Sequence, residues 1–252
     1  MLIVDVLRPY FKSLNNSKLN ILAKAIACVA CGLRVSHLID VAAIDQHKAR
    51  QLLLALKKLP QCRTIALLQF KDRFSFICHS ELLVQHVKST LQCPDQLAFI
   101  AVEGKEPQPT EMPTCLTTWI RDKLCLSNAI YYSPIVPTFM VALTGWLLEY
   151  PIIYTTHLPT DDPEGELDEW EVRTNCLGNQ PLQLTKVYLS HPDDIHLLMS
   201  FSSLAIQATS YIKPFELELK QRLVDAQKKF HWLRGYHINI AFEQIKLDRF
   251  AL

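Results

Sequence analysis

Glycine is scarce in this chain. There are six in 252 residues (Gly32, Gly104, Gly145, Gly165, Gly178 and Gly235), and no two lie within ten positions of each other. That dispersal excludes the standard phosphate-binding loops: a P-loop needs glycines bracketing a lysine, and a dinucleotide fingerprint needs three within six residues, so that the backbone can approach phosphates closely. The glycine-flanked serine of the hydrolase elbow is excluded on the same ground. An excess of one charge is also lacking, because 26 Lys and Arg against 25 Asp and Glu leave a net +1. No broad field is available to hold nucleic acid or an anionic membrane surface. The first residues, MLIVDVLRPYF, carry no basic segment and no small-residue cleavage site, so no signal peptide is read. Cofactors are not predicted, and neither is a metal site.

The cysteines Cys28, Cys31, Cys62, Cys78, Cys93, Cys115, Cys125 and Cys176 are scattered through apolar segments of a long chain. That usage implies reduced thiols and an intracellular protein of the cytoplasm or nucleus. Cys28 and Cys31 form a CxxC near the carboxyl end of an expected helix, where the dipole disfavours a thiolate, so core packing is the expected role.

Hydrophobic periodicity gives the organisation. Leu19, Leu22, Ala23, Ile26 and Ala30 share one helical face, with Asn16 or Ser17 as N-cap and Gly32 just past the end. RVSHLIDVAAI reads as a strand, Gln46 to Leu59 as a helix, and TIALLQF and RFSFICH as a hairpin turning at Lys71 and Asp72. Ser80 to Leu91 is an expected helix, QLAFIAVEG a strand, Cys115 to Leu126 a helix and NAIYYS a strand. From Ala129 to Thr156 the only charged residue is Glu149. The run is long enough for a membrane span, but Pro134, Pro137, Gly145 and Pro151 cut it into strand, helix (Thr138 to Glu149) and strand (PIIYTTH), so a buried core segment is expected. QLTKVYL follows as a strand, Pro192 to Thr209 and Pro214 to Trp232 as helices, and YHINIAFEQIKL as a terminal strand. The alternation predicts one α/β domain over residues 1–252, with a mainly parallel or mixed sheet covered by helices on both faces.

ILAKAIACVACGLRVSHLIDV (21–41), VALTGWLLEYPIIYTTHL (141–158) and the closing DRFAL resemble an uncharacterised animal protein family, represented by an open reading frame on human chromosome 1 and classed as a domain of unknown function. ACGLR and YPIIYTTHL carry most of the likeness. The resemblance implies a one-domain architecture and transfers no catalytic residue.

Three clusters invite a functional reading and favour a plainer one. HPDDIH sets His191 and His196 around Asp193 and Asp194, but Pro192 followed by two acids also suits the first turn of a helix. Asp161, Asp162, Glu164, Glu166, Asp168, Glu169 and Glu171 lack the ligand order of a calcium loop and read as a solvated acidic loop, about 158–181, that would suit a basic protein partner. Lys220, Arg222, Lys228 and Lys229 are interleaved with Glu216, Glu218 and Asp225, the pattern of an ordinary amphipathic helix. One constellation remains. In a parallel sheet, ligands bind beyond the strands' carboxyl ends, where the sequence places Asp40, Ser133 and His157 as candidate catalytic residues and Glu103 and Tyr154 as candidate ligand contacts. The expected function is a small-molecule-binding or hydrolase-like domain with that pocket; the competing expectation is a non-catalytic protein-interaction domain using the acidic loop and an apolar surface.

Overall fold

The computed structural model describes residues 2–124, 129–156, 165–166, 175–204 and 208–248. Helix α1 (Ile3–Leu7) leads into α2 (Asn16–Ala30), which buries Leu19, Leu22, Ile26 and Val29 on one face. Its cap falls one residue earlier than expected, at Asn15, whose Oδ1 accepts from Lys18 N–H at 2.9 Å. Gly32 follows at φ +80°, the left-handed conformation that ends a helix most easily with glycine. The expected strand RVSHLIDVAAI shrinks to β1 (Ser36–Leu38), and α3 (Gln46–Lys57) starts on Asp45, whose Oδ1 accepts from Lys48 N–H at 2.8 Å.

The hairpin forms as read: β2 (Ile65–Phe70) pairs antiparallel with β3 (Phe74–His79), and Lys71 takes the positive φ at the turn in place of a glycine. Both faces of the pair are buried, with Gln69, Ser75 and His79 the polar residues among them. Helix α4 (Ser80–Gln92), strands β4 (Ala98–Ala101) and β5 (Gln108–Thr110), and α5 (Thr114–Thr118) follow, α5 continuing as a π-helical turn over Trp119–Lys123. The apolar run resolves into β6 (Ile130–Ser133), α6 (Met140–Leu147) and β7 (Ile152–Thr155), as its breakers imply. Among the described residues no helix is long and apolar enough to cross a membrane.

The last third departs from expectation. Residues 192–204 do not form a helix; they turn and return as a strand, so that β8 (Leu182–His191) and β9 (Asp194–Leu204) make a hairpin with Pro192 and Asp193 at its tip. Proline followed by aspartate is as good a turn as a helix start. Helix α7 (Ala208–Lys229) begins ahead of Pro214 and carries it inside, and β10 (His237–Ile245) closes on β8.

Among the described residues the strands form three sheets, ordered β1-β3-β2-β6, β5-β4-β7 and β10-β8-β9; β2 with β6 and β4 with β7 pair parallel, so the first two sheets are mixed and the third is antiparallel. The first carries helices on both faces. Ile65, Leu67 and Ile77 pack on α1, α2 and α3, while Leu68, Phe70, Phe76 and Cys78 face α4, α5 and α6. The second packs Ala98, Ile100, Ile152 and Tyr154 against Leu177, Leu182 and Leu204, and the third packs Val187, Leu189, Met199 and Ile238 on α2 and α7. In β9 a bulge leaves Leu198 without an opposite residue, and the buried Arg34 Nη1 donates to its carbonyl at 2.7 Å. The guanidinium thus satisfies an oxygen that the ladder has released.

Helix α6 lies close on β7 because Gly145 has no side chain: a Cβ there would stand 3.0 Å from Ile153 Cγ2. Gly145→Ala is expected to destabilise the protein by about 1–3 kcal/mol through overpacking. An unchanged urea midpoint would count against this tight seat.

Candidate functional site

The described residues among those proposed from the sequence fall into two groups, Asp40 and Ser133 at the first sheet and Glu103 and Tyr154 at the second. Asp40 is exposed just beyond β1, and Ser133 ends β6. These strands occupy opposite edges of one sheet, three inter-strand spacings or about 14 Å apart, so the structure does not bring the two together. The Ser133 hydroxyl is held locally, donating to the Ile135 carbonyl at 2.8 Å and accepting from Ile135 N–H at 3.3 Å. His157 lies outside the described residues, as does most of the acidic run. Its described member Glu166 is ion-paired with Lys71 and bridges Pro137. Tyr154 is in β7 of the second sheet, and Glu103 follows two residues beyond the end of β4. Glu103 Oε2 accepts from Val102 N–H at 3.0 Å; burial pushes the Tyr154 phenol up to about 12, against the pull of the Ser202 side chain. The carboxyl end of β4 is covered, since Cys176 N–H donates to the Val102 carbonyl at 2.9 Å.

The open concavity is at the other end. A cleft of about 570 Å³ lies at the amino ends of β4 and β7, lined by α4 (Gln85, His86, Ser89), by Leu97 and Pro151, and by α7 (Tyr211, Phe215, Arg222). A second hollow of about 970 Å³ continues from it along β4 and β5 and shares Thr90, Asp95 and Tyr211. Clefts of this size hold small ligands.

Its floor is built by the end of α6. Glu149 N–H donates to the Trp146 carbonyl at 3.0 Å and Tyr150 N–H to the Gly145 carbonyl at 2.9 Å, the double closure of a Schellman motif. Glu149 therefore occupies the left-handed position, at φ +60°, that glycine usually fills. Its side chain is 7% exposed; Oε2 accepts from Val35 N–H at 2.6 Å, and Oε1 accepts from Arg222 Nη1 at 2.7 Å. Arg222 Nη2 reaches Glu218 Oε1 at 2.6 Å. Burial alone would raise the Glu149 carboxyl, but Arg222, His86 and the Val35 N–H outweigh it and hold the group below its ordinary range.

His86 forms the wall above. Its ring stacks on the fully buried Trp146, centroids 4.7 Å apart, and its Nε2 lies 2.9 Å from the Trp146 carbonyl, which only accepts. Nε2 therefore carries the proton, and the neutral ring leaves Nδ1 as an acceptor. Burial lowers the pKa of His86 despite the opposing pull of Glu149. Trp146 Nε1 in turn donates to Thr90 Oγ1 at 2.9 Å, locking α4 to α6.

Cys93 is seven positions beyond His86, about 10 Å along the helix, so the two form no thiol–imidazole pair. The Ser89 hydroxyl donates to Gln96 Oε1 at 3.2 Å, and the Thr90 hydroxyl is engaged by Trp146. The CxxC is buried, and burial pushes Cys28 up to about 12 and raises Cys31 as well, which disfavours the thiolate at both. All seven described cysteines are free thiols, and Cys125 lies outside the described residues. Among the described residues no group of three or more His, Cys, Asp or Glu is placed to hold a metal ion.

Fold and cleft together define an α/β protein of mixed sheets with a polar-floored cavity between its fourth and seventh helices. The chain belongs to the family described as the domain of unknown function DUF4504, whose model matches residues 7–249. No curated protein and no solved structure matches it.

Proposed function

We propose that this protein is a binding module for a small polar ligand, seated in the cleft between α4 and α7 and contacted by His86, Glu218 and Tyr211. One observation carries the reading: Glu149, at the cleft floor, combines a left-handed backbone with a buried ion pair. The left-handed backbone costs stability, the ion pair holds it in place, and such strain concentrates where a site must keep a fixed shape. The free thiols of Cys28, Cys31, Cys62, Cys78 and Cys115, all buried, suit an intracellular setting.

A thermal-shift screen of the full chain against small polar metabolites tests this. A ligand at about a hundredfold its Kd adds about 2.7 kcal/mol, or roughly 5–10 °C in a chain of this size. The shift is expected to vanish in His86→Gln and to survive in Ser133→Ala and Asp40→Asn. Loss in the latter two with retention in His86→Gln moves the site to the strand ends. Absence of any shift across the panel overturns the reading.

A further inference from the structure

We propose that β10 is the seam of a homodimer, pairing antiparallel with β10 of a second copy about a two-fold axis at Ala241, so that two three-stranded sheets become one. The proposal is independent of the cleft. It begins with how the other sheet edges are protected. β1 has three residues, β6 and β7 four each; β5 contains Pro109, and β9 carries the bulge at Leu198. Short strands, prolines and bulges are the devices that stop a sheet from recruiting another chain.

β10 has none of them. It runs for nine residues, HINIAFEQI, in uninterrupted register with β8, and contains no proline, glycine or lysine. Among the described residues, no strand or isolated bridge pairs with its outer edge. Its single acid, Glu243, is already paired with Lys186 on β8 at 2.6 Å and so guards the edge poorly.

The strand is also complementary to itself. About an axis at Ala241, Phe242 faces Ile240 of the second copy, Glu243 faces Asn239, Gln244 faces Ile238 and Ile245 faces His237. No like charges meet, and the 57% exposed Phe242 ring gains a β-branched cross-strand partner on both sides of the axis. Such a closed, two-fold contact is the commonest form of oligomer.

Sedimentation equilibrium of the full chain across a concentration series tests the seam. Wild type is expected to dimerise reversibly. Ala241→Lys and Ala241→Glu each place like charges face to face and are expected to weaken the dimer by about fivefold. Ala241 is exposed, so neither variant touches the core. Mixing the two variants is expected to restore association, because lysine then faces glutamate. Hydrogen exchange in β10 slows with concentration in the wild type and in the mixture, and in each variant by itself only at about fivefold higher concentration. A wild type that stays monomeric throughout, variants that dimerise undiminished, or a mixture that does not recover would each overturn the proposal.

Discussion

Glu149→Gln is expected to cost about 3 kcal/mol of stability, read as a lowered urea midpoint with an unchanged slope. The amide keeps the size of the side chain and an acceptor for Val35 N–H. It leaves the Arg222 guanidinium, 16% exposed, with only the outlying Glu218 for a partner. Removing one member of a buried pair is expensive because the survivor remains desolvated and uncompensated. The backbone contribution separates cleanly in two further variants. Glu149→Gly and Glu149→Ala both lose the ion pair, but only alanine keeps the left-handed strain, so the glycine variant is expected to be the more stable by about 1 kcal/mol. A Glu149→Gly protein more stable than wild type would sink the idea that the ion pair offsets the strain.

The second large effect is on acid stability. Burial, with Arg34 and His196 adding to it, pushes His37 down to about 3; burial, with Lys24 and Arg34, pushes His196 down to about 4. His196 is buried, and its Nε2 has no hydrogen-bond partner among the described residues. Both folded-state values lie below the unfolded value of about 6.5. Between these limits the unfolded chain binds more protons than the folded one, so stability rises with pH across that window. The contribution is complete above pH 6.5 and drains away as pH falls through 6 and 5 to 4, by on the order of 6 kcal/mol for the two groups together. Urea midpoints measured from pH 7 to pH 4.5 check this, with His196→Asn expected to flatten part of the slope. A level profile in the wild type across that range would falsify it.

Much of the first two-thirds of the fold was legible because its signals are local. The α2 stripe, the start of α3 at Gln46, the β2–β3 hairpin and the proline-cut run from β6 to β7 each rest on spacing within a dozen residues. HPDDIH was misread because proline with acids suits a turn as well as a helix start, and the bulge at Leu198 breaks the two-residue alternation that would have marked β9 as a strand. The expected catalytic residues rested on one parallel sheet; the antiparallel insertion of β3 and the division into three sheets set Asp40 and Ser133 on opposite edges. The cleft had one visible signal, the lone charge of Glu149 in a run otherwise free of charge, since a buried carboxylate requires a partner. Nothing local named that partner. Arg222 looked like one more base on an amphipathic helix, and only tertiary structure brings it to a residue 73 positions earlier.

That long-range clasp bears on synthesis at the ribosome. The Val35 amide is made first, the Glu149 side chain 114 residues later, and the guanidinium that neutralises it after a further 73. A nascent chain stopped ahead of α7 would hold a carboxylate among apolar neighbours with no counter-charge. Neutralisation of that carboxylate therefore waits until α7 has been translated.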